Sequence, residues 1–361
     1  MASMTLRRVA IRCTSLALVL VAAMASPAAA HGTAEVPAGD YSTEVSAVAP
    51  PVEGLHARAV DEGVAIELRN ESSHEVTVLG YDGEPYLRVG PDGVFRNERS
   101  PATFWNTQAN RNTTELPPPS YDATKAPTWH RISDGTVARW RDHRAHYVGG
   151  GSGGAARVVL AWTIPLRDGD RDISIAGTVR YLPPPSPAPY LLFAALLAFA
   201  LVVAGRTRVW PVVLTGSLAV LVVAAGAQIV GEWGATTLPF ASRVGEHVYV
   251  FAGIALGIGA CTWTITRRSR PYDATPIALL AGVALLLASG LSGIPFLVHE
   301  VIPTTFPNAF VRMLVAVTIG VGLATVVIAA TRLRQPFAPR PAANQESSTA
   351  TEILRSMYAE K

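Results

Sequence analysis

The chain has 361 residues, of which 49% are hydrophobic and 16% are charged, with a formal net charge of +3. These values are typical of one medium-sized domain joined to a membrane-embedded block. Residues 31–186 carry 20 acidic and 15 basic side chains, a net charge of −5. The sequence therefore contains no basic patch that would predict nucleic-acid binding.

Residues 1–30 predict a secretory signal peptide. Three arginines precede an apolar run, and three consecutive alanines stand directly before His31. Cleavage at this point makes His31 the first residue of the mature chain. Of the two cysteines, only Cys261 then remains, and it falls within a predicted membrane span, so the exported domain is expected to fold without a disulfide.

Residues 31–182 predict an extracytoplasmic all-β domain that begins with an open lead at residues 31–51. Short apolar or alternating segments are separated by Gly, Pro, Asn and Asp, and no amphipathic helix is predicted. Residues 97–128 are expected to be irregular. This pattern favours an immunoglobulin-like β-sandwich, followed by a stiff Pro-rich spacer at residues 183–189. Strands are predicted at residues 64–68, 75–79, 86–89, 94–96, 157–165 and 173–182.

Residues 190–330 predict a five-helix transmembrane bundle, because each apolar run approaches the roughly 20 residues needed to cross a bilayer. Arginines cluster after the first, third and fifth runs, whereas the other two loops contain only Arg243. By the positive-inside rule, the N-terminal domain lies outside a multi-pass cell membrane protein, and a disordered tail at residues 331–361 lies in the cytoplasm. The runs are residues 188–205, 209–230, 247–266, 276–298 and 310–330.

Three segments of the exported domain carry a first resemblance. They are Gly80-Tyr81-Asp82-Gly83-Glu84-Pro85-Tyr86-Leu87-Arg88, residues 97–104, and Trp140-Arg141-Asp142-His143-Arg144. They resemble an uncharacterised group of actinobacterial exported membrane proteins, and this resemblance implies no established activity.

A weaker resemblance comes from His31 at the mature N-terminus and from the closing segment Trp162…Asp168-Gly169-Asp170…Gly177-Thr178-Val179. This arrangement is similar to CopC-type periplasmic copper-binding domains. The resemblance implies a copper site shared by the N-terminal His and by the His of an Asp-Gly-His turn. In this chain Asp170 stands where that His would fall.

All eight histidines lie outside the cytoplasm on this topology, and five of them are candidate metal ligands. The α-amine and imidazole of a terminal His31 form a chelate that suits Cu(II). His143 and His146 face the same way only in a helical turn. The alternatives are a disordered terminus at His31 and a structural pairing of Asp142 with Arg141 or Arg144. His247 and His299, at the outer ends of spans, are candidates to receive the metal.

Two functions follow from these patterns, and neither is enzymatic. The first is a copper-handling accessory of the cell envelope, with other envelope metal-handling proteins as partners. The second is a module that binds or assembles envelope proteins through the surface at residues 81–105. A transporter is disfavoured because no Asp, Glu, Lys or His lies near the midpoint of a span.

Overall fold

The computed structural model describes residues 38–107, 116–147, 153–267 and 271–333. Its N-terminal part is a β-sheet domain, and its C-terminal part contains five helical segments long and apolar enough to cross a membrane. The predicted signal peptide, His31 and residues 334–361 of the predicted tail lie outside the described residues.

The described part of the N-terminal domain contains ten strands in two antiparallel sheets. The larger sheet has the order β1-β10-β9-β4-β5-β6-β7, and the smaller sheet has the order β2-β3-β8. The strands are β1 Tyr41–Ala49, β2 Leu55–Val60, β3 Ala65–Asn70, β4 Val76–Leu79, β5 Pro85–Gly90, β6 Gly93–Asn97, β7 Trp129–Ser133, β8 Val137–Trp140, β9 Arg157–Asp168 and β10 Arg171–Tyr181.

One hydrophobic core lies between the sheets. Alternate residues of each strand point inward, so that Leu68 of β3, Val78 of β4 and Ile164 of β9 belong to the same core, and all three side chains are fully buried. The six predicted strands correspond to β3, β4, β5, β6, β9 and β10, and these predictions are confirmed in position.

The predicted open lead at residues 31–51 is wrong over Tyr41–Ala49. This segment forms β1 at the edge of the larger sheet, where it pairs with β10. Most side chains of this edge strand remain at least partly exposed. Small and polar residues such as Ala, Ser and Glu are therefore tolerated there, and they give only a weak strand pattern in the sequence. Tertiary pairing with β10 therefore decides its conformation.

The prediction of irregular structure at residues 97–128 is also wrong in part, because Pro101–Thr107 forms a short helix. The Ser100 hydroxyl accepts a hydrogen bond from the backbone N–H of Ala102 at 3.1 Å. A serine at the N-cap followed by proline in the first turn is a common helix start.

The five predicted spans are confirmed as helical segments, with ends shifted by a few residues. The fourth is composite: a 3₁₀ turn (Pro271–Ala274), an α-helix (Thr275–Leu285), a π-helical segment (Leu286–Leu291) and a short α-helix (Ile294–Val298). The spans are, in chain order, Ala188–Gly205, Trp210–Ala235, Val248–Thr266, Pro271–Val298 and Asn308–Leu333.

The first span lies against the fifth. A Cβ on Gly320 of the fifth span would come within 2.6 Å of the carbonyl oxygen of Ala194. Glycine at this position allows the two helix backbones to approach closely, as small residues do in membrane bundles.

Candidate functional site

Three segments of the β domain that are distant in sequence meet in one partly buried polar group, here called the Tyr81 cluster. Tyr81 Oη donates a hydrogen bond to Asn106 Oδ1 at 2.5 Å and accepts one from the backbone N–H of His143 at 3.0 Å. These contacts join the β4–β5 loop, the short helix and the turn after β8. The members of the Tyr81 cluster are Tyr81, Glu84, Ser100, Asn106, Asp142, His143 and Arg144.

Asp142 is the charged centre of the Tyr81 cluster, and its side chain is fully buried. Its carboxylate accepts hydrogen bonds from Trp140 Nε1 at 3.0 Å and from Arg144 Nε and Nη2 at 2.9 and 2.8 Å. The same guanidinium donates to the carbonyl oxygens of Leu79 and Gly80. The pairing of Asp142 with Arg144, expected as the structural alternative, is therefore present.

Glu84 holds the other side of the cluster. Its carboxylate accepts hydrogen bonds from Ser100 Oγ and from the backbone N–H of Asp82. A Cβ on Gly80 would lie 1.9 Å from Glu84 Oε1, so a glycine is required where the loop passes over this carboxylate.

The phenols beside the cluster remain neutral. Burial raises the pKa of Tyr86 to about 12. Burial, together with the negative charge of Asp142, also raises the pKa of Tyr81. Neither hydroxyl therefore ionises at physiological pH, and Tyr81 acts as a fixed hydrogen-bond donor.

A small cavity of about 20 Å³ opens beside the cluster, with room for about one water molecule. The 3₁₀ turn His143–Ala145 places the two predicted ligands, His143 and His146, on its wall. The Nε2 atom of His143 also lies 3.3 Å from the carbonyl oxygen of Trp105. The surface formed by the lining residues Val64, Trp105, Arg141, His143 and His146 is here called the Trp105 patch.

His247 lies directly before the third span, close to the end of the second, and both of its ring nitrogens have partners. Nε2 is 2.9 Å from Glu232 Oε2, and Nδ1 is 2.9 Å from the carbonyl oxygen of Arg243. Trp233 Nε1 also donates to Nδ1 at 3.3 Å. An unprotonated Nδ1 accepts the hydrogen bond from the indole of Trp233, whereas a protonated Nδ1 donates one to the carbonyl oxygen of Arg243.

His299 joins the membrane bundle to the β domain. Its Nδ1 lies 3.2 Å from Asp40 Oδ1, which also accepts a hydrogen bond from the backbone N–H of Glu300. Beside this pair, the backbones of Gly39 and Val301 exchange two hydrogen bonds of 3.0 and 2.8 Å. Arg312 supports the loop from the fifth span through an ion pair with Glu300 at 2.7 Å.

A second contact between the two regions is made by Asp61. Its carboxylate accepts hydrogen bonds from the backbone N–H and the hydroxyl of Thr237, both at 2.8 Å. Asp61 and Glu62 have positive φ angles of 51° and 55° in the tight turn between β2 and β3. This is a strained conformation for residues other than glycine.

The structure brings His143 and His146 to one cavity and leaves His247 and His299 in separate hydrogen-bond groups. No set of three or more His, Cys, Asp or Glu able to hold a metal occurs in the parts of the chain that the structure describes. Sequence reasoning missed Asp40, Asp61 and Thr237. A lone Asp in a loop carries no pattern that indicates a distant partner.

Comparisons of the chain with protein-family models, with curated proteins and with solved structures gave no match.

Proposed function

We propose that the protein is a membrane-anchored extracytoplasmic interaction module without catalytic activity. Its β domain, which we assign to the immunoglobulin-like sandwiches on the basis of two antiparallel sheets around one core, presents the Trp105 patch to another envelope protein. The copper-handling role is the second candidate.

The observation that carries this proposal is the attachment of the β domain to both loops predicted to lie outside the membrane. Asp61 bonds Thr237 in the loop after the second span, and Asp40 bonds His299 in the loop after the fourth. These two contacts hold the domain in one orientation on the bundle. A patch on such a domain faces its partner at a set height and angle, which reduces the entropic cost of binding.

The same contacts support the predicted topology. The loops that touch the β domain contain one arginine between them, whereas Arg206, Arg208 and Arg267 lie at the opposite ends of the spans. The positive-inside rule then puts the β domain outside and the end of the chain in the cytoplasm. A reporter enzyme that works only in the cytoplasm is expected to be active when it is fused after Lys361. Activity of a reporter that works only after export would contradict this orientation.

The Trp105 patch has the side chains of a protein-binding surface. Trp and Arg are enriched among the residues that dominate interface energies, and Trp105 and Arg141 stand together beside the cavity. The buried ion pair of Asp142 with Arg144 lies beneath them and fixes the turn that carries His143.

Site-specific photocrosslinking in intact cells tests this function. A photoreactive amino acid at position 105 is expected to give a discrete crosslinked product with another envelope protein. The control position is 158 on β9, where the side chain of Val158 is exposed. Identical products from both positions, or none from position 105, would contradict the proposed patch.

The copper role is favoured by one observation, the placement of His143 and His146 on the wall of a single cavity. Imidazole is a suitable ligand for Cu(II), and His31 at a processed N-terminus is the proposed third contributor. His247 and His299 remain proposed receivers at the membrane, where each would exchange a carboxylate partner for the metal.

Titration of the purified full-length protein with Cu(II) tests this second role. Stoichiometric binding is expected in the wild type, with weaker binding in His143→Ala/His146→Ala and in a form extended ahead of His31. Mass spectrometry of the mature N-terminus establishes whether His31 is the first residue. Absence of stoichiometric binding in the wild type would eliminate the copper role and leave the interaction module.

A further inference from the structure

A crevice of about 360 Å³ separates the first span from the second. Its walls are aliphatic side chains of these two spans, and its floor is formed by the fifth. The first span leans on the fifth at Ala194 and Gly320, and this contact leaves the space toward the second span open. The lining residues are Leu197, Leu201, Val213, Gly216, Ser217, Val220, Val317 and Val321.

Ser217 is the one residue with a polar side chain among those that line the crevice. Its side chain is 4% exposed, and Oγ makes no hydrogen bond within the described residues. A serine or threonine in a membrane helix commonly donates to the carbonyl one turn earlier, as Thr215 does to the carbonyl oxygen of Pro211 at 2.8 Å. The Ser217 hydroxyl can make the same bond to the carbonyl oxygen of Val213, so the wall that an occupant of the crevice meets is aliphatic.

Positive charge stands at one end of the crevice. Arg206 and Arg208 lie in the short loop that joins the two spans, and both are exposed. Neither guanidinium has a hydrogen-bond or ion-pair partner in the described ranges. Arg332, at the same end, is already bound to the carbonyl oxygen of Gly205 at 2.7 Å and lies over the ring of Trp210.

The length of the crevice matches a lipid chain that enters from this loop. Leu201 and Val213 lie about one helical turn from the loop, or roughly 5 Å at 1.5 Å per residue. Leu197 and Val220 lie two to three turns away, roughly 12–15 Å into the bilayer. A negatively charged headgroup at the two arginines therefore places its acyl chain along the aliphatic walls.

We propose that the crevice between the first and second spans is a binding site for one anionic phospholipid. Arg206 and Arg208 hold the phosphate, and the aliphatic lining residues contact one acyl chain. The assignment of this lipid to the cytoplasmic leaflet depends on the proposed topology. The binding itself does not, so a failure of the binding test leaves the interaction module and its orientation unaffected.

Native mass spectrometry of the full-length protein in detergent tests the site. The probes are phosphatidylglycerol and phosphatidylcholine with identical acyl chains. The wild type is expected to retain one phosphatidylglycerol with about a tenfold preference over phosphatidylcholine, since each basic residue at a membrane surface adds to the attraction for anionic lipids. Equal retention of the two lipids would overturn the proposal.

Two variants separate the headgroup from the chain. Arg206→Gln/Arg208→Gln changes exposed loop residues and is expected to abolish the preference for phosphatidylglycerol. Gly216→Leu is expected to reduce the retention of both lipids, because nothing lies within 4 Å of the position of its Cβ and the new side chain fills the crevice.

Gly226→Leu is the matched control on the same helix. Its Cβ position is also open, and Gly226 is not among the lining residues, so lipid retention is expected to match that of the wild type. Retention by Gly216→Leu at the wild-type level would overturn the site. A protein dimer that Gly216→Leu dissociates would assign the crevice to a second copy of the chain instead.

Discussion

The β domain and the membrane bundle, away from the ends of its spans, bury polar side chains of different kinds. In the β domain the buried polar groups include carboxylates, such as Glu67 at 2% exposure and the fully buried side chain of Asp142. Each has an arginine partner that reaches toward water, as Arg58 and Arg139 do for Glu67. The arginines remain partly hydrated, which limits the cost of removing the carboxylate from water.

In the bundle, the buried polar group at the π-helical segment is uncharged. Gln228 Nε2 donates to Thr318 Oγ1 at 3.3 Å, and its Oε1 accepts a hydrogen bond from Ser289. In the hydrocarbon core of a bilayer, an ion is far more costly to bury than an amide or a hydroxyl. Arg312 is the one buried charged residue of the described bundle, and it lies near the start of the fifth span, where it pairs with Glu300. Farther from the span ends, the surrounding hydrocarbon favours uncharged polar groups, whereas water around the β domain permits buried carboxylates with hydrated partners.

Asp142→Ala gives the largest expected effect. It should lower the free energy of unfolding of the β domain by about 3 kcal/mol, because it leaves Arg144 and Trp140 Nε1 buried without their acceptor. Urea unfolding of the full-length protein, followed by tryptophan fluorescence, measures this change. Asp170→Ala in the exposed β9–β10 turn is the control, with an expected change within about 0.5 kcal/mol. Equal effects of the two substitutions would show that the Tyr81 cluster contributes no stability.

Glu67→Gln is expected to have an intermediate effect, a loss of about 2 kcal/mol at neutral pH, because two charge-assisted hydrogen bonds are weakened. Burial alone would raise the pKa of Glu67, but the hydrogen bonds from Arg58 and Arg139 lower it below the ordinary value of 4.5. The carboxylate therefore contributes stability above pH 4.5, and this contribution is lost as the pH falls through the lowered pKa.

The free energy of unfolding, measured from pH 7 to pH 3, should consequently depend less steeply on pH in Glu67→Gln than in the wild type. Glu71→Gln is the control, since its exposed carboxylate lies 3.6 Å from Arg69 and both side chains face water. A slope unchanged by Glu67→Gln would exclude this residue as a source of acid sensitivity.

Gln228→Leu should have the smallest effect, about 0.6 kcal/mol, which is the average for hydrogen bonds between membrane helices. Thr318 already donates to the carbonyl oxygen of Leu314 at 2.7 Å and keeps that bond in the variant. Thermal unfolding in detergent provides the measurement, with the exposed Ser292→Ala as the control. A loss as large as that of Asp142→Ala would refute the contrast between the two interiors.

The sequence predicted the membrane spans better than the sheets, for a physical reason. A span needs about 20 apolar residues whatever its neighbours are, so the first span was predicted with the same ends that the structure has, Ala188–Gly205. An edge strand depends on its partner, and β1 acquires its conformation from pairing with β10. No local pattern in Tyr41–Ala49 contains that information.

The candidate site was predictable in part. The motif around Asp142 indicated a choice between metal ligands and an Asp–Arg pair, and the structure contains the pair. His143 begins the 3₁₀ turn, His146 follows it with an extended backbone, and both line one cavity; their ligand role stays a prediction. The contact of Asp61 with Thr237 spans 176 residues, and only the folded chain brings these two residues together.

The pairing of Asp40 with His299 constrains how the protein is made. The two residues are 259 positions apart, and the His299 loop emerges from the ribosome only after four spans have been synthesised. All ten described strands precede the first span in the sequence, so the sheets can form before the contact of Asp40 with His299 completes the attachment of the β domain. A chain truncated before residue 299 would keep the bond between Asp61 and Thr237 and lose the attachment at Asp40.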